Sequence, residues 1–336
     1  MLTGTNIVRN DKKESGGKTF RFIDLFAGIG GFHIAMSRLG GKVVFASEWD
    51  KDAAEVYERN FGIRPAGDIT KISEKDIPEH DVLCAGFPCQ AFSISGKRLG
   101  FEDSRGTLFF DVARIAREKQ PKIMFLENVK NLARHDNGRT IAVIRRTLDE
   151  IGYDVFDEVL DASKFGVPQS RKRIYIVCFR KDLQIRDFCF PKEEKLERHL
   201  IDILLPDSET GKYRVFRNDV VINDMLLETY SDAPLRIGTV NKGGQGERIY
   251  SPYGTAITLS AYGGGAGAKT GLYRINGIIR KLAPRECARL EGFPDSFMIA
   301  ERDAAAYKQF GNSVVVDVLI KIMKKAIDRK EIALCR

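Results

Sequence analysis

Short apolar runs alternate with stretches of helical periodicity between residues 20 and 179, and this alternation restricts the fold more than any other feature of the chain. The runs fall at residues 20–26, 42–47, 82–85, 122–129, 153–160 and 174–179. They are the length of strands, and the run at 82–85 is apolar on both faces, as a strand covered on both sides must be. Helical stretches between them, ending near Leu39 and spanning 108–118 and 138–151, predict a doubly wound α/β sheet. Such sheets bind their ligands outside the carboxyl ends of the strands, so the residues that follow each run are the ones to inspect.

After the run at 82–85 comes Gly86-Phe-Pro-Cys-Gln90, which places Cys89 in a loop. The next stretch, 91–107, holds Ser93, Ser95, Gly96, Gly100, Ser104 and Gly106 with Lys97, Arg98 and Arg105, a composition suited to closing over an anion. A lone cysteine is more often a small buried hydrophobe than a nucleophile, so Cys89 needs support from its neighbours. The first run turns through Ala27-Gly-Ile-Gly-Gly31 into a helix, a spacing distinct from the dinucleotide G-x-G-x-x-G. Glycines there let a ligand approach the backbone, and a helix N-terminus offers free N–H groups to an anion. The second run ends in Glu48-Trp49-Asp50, an acid about 20 residues after the glycines, where it reaches ribose hydroxyls. Trp49 is placed either to stack on an adenine or to fill the core. Asp68 is placed to accept from an exocyclic amine. Together these ends describe a site for an adenosine with a carboxylate-bearing tail and no pyrophosphate, which fits S-adenosylmethionine better than a nicotinamide dinucleotide.

The fourth run ends in Glu127, a carboxyl that can hold and donate a proton if buried, or simply cap or pair. Gln169-Ser-Arg-Lys-Arg173 is a basic turn leading into a strand, with Arg171 and Arg173 on one face if the chain is extended. Beyond residue 187 the alternation decays. Residues 236–281 then carry seven basic side chains, one acid (Glu247) and eleven glycines, a composition that suits backbone lying close to a DNA groove or, alternatively, a flexible surface loop.

With 336 residues the chain is long enough for two domains. We expect a catalytic and cofactor-binding domain over 1–200, completed by a helix at 312–336, a target-recognition domain over 201–283, and a hinge at 284–311. The excess of 54 Lys and Arg over 46 Asp and Glu gives +8 and favours a polyanionic partner. Six cysteines without a C-x-x-C pair and four histidines suggest neither a disulfide framework nor a zinc site. No apolar run approaches the ~18 residues that span a bilayer, and residues 1–18 lack a secretory core, so a cytoplasmic protein is expected.

In order along the chain, Asp24-Leu-Phe-Ala-Gly-Ile-Gly-Gly31, Gly86-Phe-Pro-Cys-Gln90, Glu127-Asn-Val129, Gln169-Ser-Arg-Lys-Arg173 and Gly311-Asn-Ser313 resemble the motifs of DNA (cytosine-5)-methyltransferases. The resemblance implies a Rossmann-like methyltransferase sheet with a smaller, glycine-rich recognition domain, S-adenosylmethionine as methyl donor, no metal, and double-stranded DNA as substrate. It further implies catalytic roles for Cys89, Glu127, Arg171 and Arg173. Cofactor contacts would fall on Phe26, Gly28, Gly30, Glu48, Trp49, Asp68, Ile69, Pro88, Leu108, Asn312 and Val314. Ser95 and Gln245 would fill the gap left by a flipped cytosine, and Arg248, Thr258 and Tyr262 would read bases. Residues 243–250 and 258–265 are similar to those of a family member that modifies the first cytosine of GCGC. The same resemblance implies a monomer belonging to a restriction-modification system, whose cognate endonuclease shares the site without binding this protein. Two alternatives stay open: a tRNA cytosine-5 methyltransferase, against which the 236–281 segment argues, and a non-catalytic DNA-binding relative.

Overall fold

The computed structural model describes residues 19–88, 108–226 and 228–329, so the expectations placed on Cys89 and Ser95 lie outside the described residues. The chain divides into two compact units, the first formed by 1–160, 173–191 and 319–336, the second by 161–172 and 192–318.

The first unit is built on strands β1 (Phe20–Leu25), β2 (Gly41–Ser47), β3 (Val82–Ala85), β4 (Ile123–Val129), β5 (Tyr153–Asp161) and β6 (Lys172–Arg180). Their order in the sheet is β2-β1-β3-β4-β6-β5. β1 pairs in parallel with β2 on one side and β3 on the other, β3 pairs in parallel with β4, and β6 runs antiparallel to β4. Connections leave β1 in both directions, so the topological switch point lies between β1 and β3, and the sheet is the α/β, Rossmann-like one expected. All of β3 and all but the last residue of β4 are buried, the reason these runs carry no polar alternation.

Helices α1 (Gly31–Arg38), α2 (Lys51–Phe61), α3 (Leu108–Lys119) and α4 (Arg139–Glu150) flank the strands in sequence. α2 starts where the Asp50 carboxylate accepts from the amides of Asp52 and Ala53, and it stops at Gly62, whose φ of 69° an L side chain rarely adopts. α4 buries Ile141, Ile144 and Leu148, spaced three and four apart, in one core with Ile23, Leu25, Leu83, Met124, Leu126 and Ile176. Truncating one such side chain to Ala costs about 2–5 kcal/mol.

The second unit holds a sheet that the glycine-rich composition concealed. Its strands are β7 (Val221–Ile222), β8 (Arg236–Thr239), β9 (Arg248–Tyr250), β10 (Leu272–Ile275) and β11 (Ile278–Arg280), in the order β11-β10-β9-β8-β7. Most are too short to show a period of two, and they pack over a small core of Ile237, Val240, Ile249 and Leu272. Helices α5 (Asp207–Thr210), α6 (Pro284–Leu290) and α7 (Asp303–Asn312) belong to this unit, while α8 (Val316–Ile327) carries the chain back into the first. Gly311, placed by the sequence at the end of a hinge, lies in the last turn of α7, where a Cβ would collide with the backbone of Ser260 and Ala261. No helix among the described residues is long and apolar enough to cross a membrane.

Candidate active site and nucleic-acid interface

In the first unit the parallel strands deliver their candidate residues to one edge. Beyond β1, Phe26, Gly28 and Gly30 have φ values of 56°, 55° and 92°, so three left-handed residues within five turn the backbone sharply into α1. For Phe26 this conformation is strained, a cost that ordinary packing segments do not carry. Beyond β2, Glu48 secures that turn. One carboxylate oxygen accepts from the Gly28 amide at 2.8 Å and the other from the Asp50 amide at 2.7 Å. Burial raises the Glu48 pKa, and these amides oppose the shift by stabilising the charged form. The Trp49 amide also stabilises the carboxylate, which leaves it acceptor capacity for one ligand hydroxyl.

Trp49 is 77% exposed, which removes the core alternative and leaves its ring face available. Asp68 follows a short extended stretch in which the Ala66 amide bonds the Ala46 carbonyl of β2. Its carboxylate accepts from the Thr70 hydroxyl and amide and lies 3.6 Å from Lys71, and the Thr70 hydroxyl bond is the main cause of its lowered pKa. Ile69 is buried beside it, Pro88 is exposed beyond β3, and Leu108 is half-buried at the start of α3. An exposed aromatic ring, an acid with spare acceptor capacity and backbone turned open by left-handed residues fit an adenosine-bearing methyl donor. Asn312 and Val314 lie in the second unit.

Beneath this edge lies a feature that sequence reading passed over. Asp24, within β1, is fully buried, and among the described residues neither carboxyl oxygen has a hydrogen-bond partner; Ser47 Oγ, one register position on in β2, likewise has none among them. Burial first, then the charge of Glu48, push the Asp24 carboxyl well above the usual range, with the His33 backbone pulling weakly the other way. His33 itself, bonded to the Tyr57 hydroxyl at 2.6 Å, is pushed down to about 4 by burial.

At the end of β4, Glu127 is buried and pairs with the Arg173 guanidinium at 3.1 Å. Arg173 stands opposite Val129 in the antiparallel ladder, which brings it diagonal to Glu127. Next to Glu127, the Asn128 side chain donates to the Phe87 carbonyl at 2.7 Å and accepts from the Val129 amide at 2.8 Å. The ends of β3 and β4 are thereby tied together two residues before Cys89. Cys84, Cys178 and Cys287 are buried, and burial pushes each thiol up, so they are inert packing groups.

Arg171, two residues from Arg173, has different surroundings. It is 1% exposed in the second unit, donates to the carbonyls of Leu259, Gly311 and Ser313, and stands 3.5 Å from the buried Glu291 carboxylate. Gln169 donates to Glu291 at 3.2 Å and accepts from the Leu259 amide, and the Thr258 hydroxyl donates to the Ser170 carbonyl at 2.6 Å. Arg171 thus gathers carbonyls from the Leu259 loop and from the end of α7, and nothing in the residue order marks Glu291 as its partner. Elsewhere in this unit Gln245 and Tyr262 are exposed, and Arg248 is half-buried with its Nε lacking a hydrogen-bond partner among the described residues. The Gly267 amide donates to the Gly246 carbonyl at 2.8 Å, joining the loops that carry Gln245 and Tyr262.

A doubly wound sheet with a nucleoside-type turn after β1 and a buried acid–arginine pair joining the end of β4 to the start of β6 defines the class: a Rossmann-like methyltransferase. Residues 20–328 match the profile of the C-5 cytosine-specific DNA methylases, and the chain belongs to that family. It is a DNA (cytosine-5)-methyltransferase. It is 58% identical over 309 residues to the type II methyltransferase M.HhaI of Haemophilus parahaemolyticus, covering 92% of this chain and 94% of the relative. To the type II methyltransferase M.HpaII of Haemophilus parainfluenzae it is 46% identical, covering 92% and 90% respectively. Among solved structures, the Dnmt2 methyltransferase of S. pombe shares the fold with a TM-score of 0.69 at 22% identity, over 92% of this chain and 98% of that one.

Proposed function

We propose that this protein methylates C5 of the first cytosine in GCGC within duplex DNA, through a covalent adduct on Cys89 and with S-adenosylmethionine as donor. The observation that carries the reading is the buried Glu127–Arg173 pair at the end of β4, beside the strand whose continuation contains Cys89. Cytosine C5 is too weak a nucleophile to attack a sulfonium unaided, so a thiolate adds first across the 5,6 double bond. Cys89 Sγ attacks C6. Glu127 holds and protonates N3, while Arg173 holds O2, so the charge that develops in the ring meets a proton and a guanidinium. Arg171 is the positioning residue of this set, through the carbonyls it gathers.

When bound, the donor supplies an electrophilic methyl group; Glu48 would hold its ribose, Trp49 its adenine face, and the turn at Phe26, Gly28 and Gly30 its tail. C5 of the adduct would take that methyl group, the donor leaving as a neutral thioether; C5 then loses its proton to water, and elimination of the Cys89 thiolate, with the N3 proton returning to Glu127, restores the aromatic ring. Because a stacked base is out of reach, the cytosine must be flipped, at a cost of a few kcal/mol offset by groups that fill the gap, here Gln245 and Ser95. Arg248, Thr258 and Tyr262 would read the site in a DNA-recognition domain built on the second unit. The relation to M.HhaI supports GCGC, together with the joined loops that carry Gln245 and Tyr262.

Expression in a methylation-free bacterial host, followed by bisulfite sequencing of the recovered plasmid, tests the site without assuming it. We expect 5-methylcytosine at the first cytosine of GCGC and an adduct trapped by duplexes carrying 5-fluorocytosine there. Modification in another context would remove the specificity claim. Turnover by Cys89→Ala would remove the covalent step.

A further inference from the structure

The single acid of the basic 236–281 stretch, Glu247, takes part in no ion pair among the described residues. One of its carboxylate oxygens accepts from the Asn241 side-chain amide at 2.6 Å, the other from the Gly244 backbone amide at 2.8 Å. Asn241 sits at φ 47°, a left-handed conformation that Asn tolerates better than most residues, and this turns its own backbone amide toward Asp219, which accepts it at 2.8 Å. Asp219 is held in turn by the Arg217 guanidinium through bonds of 2.8 and 2.5 Å. A continuous chain therefore runs Arg217, Asp219, Asn241, Glu247, Gly244, and closes around the turn that presents Gln245. Arg217, Asp219 and Asn241 are exposed, so the chain adds little to global stability, as solvated pairs do. Its effect is local: it fixes the backbone of residues 241–247.

We propose that Asn241 and Glu247 are positioning residues for base flipping, a clamp that sets the 243–246 turn in advance so that Gln245 enters the duplex without first paying for its own ordering. Fixing a residue's backbone costs conformational entropy, so a turn ordered before binding spares the complex that cost at each of its residues. Through the Gly267-to-Gly246 bond the clamp reaches the loop that carries Tyr262, and a Cβ on Gly246 would come within 2.6 Å of the Gly264 carbonyl, so the two loops are held close.

This inference rests on the reading of Gln245 as the gap-filling residue, and the test uses whatever site is mapped for the wild type. Three measurements are made on the full chain: KM for a cognate duplex, fluorescence of 2-aminopurine placed at the target position, and thermal midpoint. Asn241→Ala and Glu247→Ala should each raise KM and lower the fluorescence gain about tenfold, the factor given by roughly 1.4 kcal/mol, with the midpoint unmoved. Glu247→Gln should behave as wild type, because a glutamine can accept from Gly244 and donate to a turned Asn241 amide. A duplex with an abasic position opposite the target needs no gap-filling and should restore both alanine variants. Unchanged flipping in both alanine variants would overturn the clamp. So would a Glu247→Gln variant as impaired as Glu247→Ala, which would mean that the carboxylate charge itself acts on the DNA. If instead the wild type gave no 2-aminopurine signal on its own mapped site, the reading of Gln245 would fail and the clamp with it.

Discussion

Two acids on neighbouring strands of the first unit show how burial and partners divide labour between like side chains. Glu48 has its oxygens engaged by two backbone amides beyond the end of β2, whereas Asp24 is buried with neither oxygen bonded among the described residues. A carboxyl whose folded pKa is raised stabilises the fold fully below its unfolded value, near 3.8, and that contribution is lost as pH rises through the folded value. His33 acts oppositely. Its pKa is lowered, so its contribution is present above 6.5 and is lost as pH falls toward about 4. Asp24→Asn should therefore be more stable than wild type at neutral pH, and its advantage should shrink toward pH 4 because His33 is common to both proteins. Urea unfolding across pH 4–8 checks this; a constant difference would mean that Asp24 does not titrate. At this scale the sequence was partly legible. Strand-end position marked Glu48 and Glu127, but nothing in the residue order distinguishes an exposed Trp49 from a core one, or reveals that Arg171 and Arg173 enter different surroundings.

Strands and helices with a strong period were readable because each buries a continuous apolar face: the alternation from β1 to β4 is written in runs such as Val82–Ala85. The second sheet was not readable, since strands of two to four residues set between glycine-rich connections are too short to carry a periodic signal. Helix α7 also escaped, falling within the stretch read as a hinge. Between elements, the decisive link is Asn128, which ties the end of β4 to the carbonyl of Phe87 just beyond β3. Asn128→Ala leaves that buried carbonyl unbonded, which should cost about 1–3 kcal/mol of stability. Because Cys89 follows Phe87 by two residues, kcat should fall more than KM rises. Steady-state kinetics on duplex DNA alongside denaturant unfolding would check both, and an unaltered kcat would show that the strand ends hold their geometry without the amide.

For the molecule as a whole, a net charge of +8 makes DNA affinity fall with salt, and the slope reports how many phosphates are engaged. Arg248→Ala should relax discrimination at one base pair, at about 1–3 kcal/mol, and leave the slope as it was. Lys242→Ala, which removes an exposed cation from the neighbouring turn, should weaken all duplexes alike and reduce the slope by about one. Binding of cognate and scrambled duplexes across a salt series separates the two, and an Arg248 variant weakened equally on both would be a phosphate contact. Connectivity adds a consequence of its own. The backbone passes between the two compact units after residues 160, 172, 191 and 318, and the first unit is completed only by Leu319, Ile322 and Met323 of α8, all fully buried. During synthesis the core of the first unit can therefore close only after α8 has been made, long after β1 to β6. By the same token, the second unit cannot be exchanged between relatives as one contiguous cassette: the short excursion at 161–172, with Gln169 and Arg171, has to travel with it.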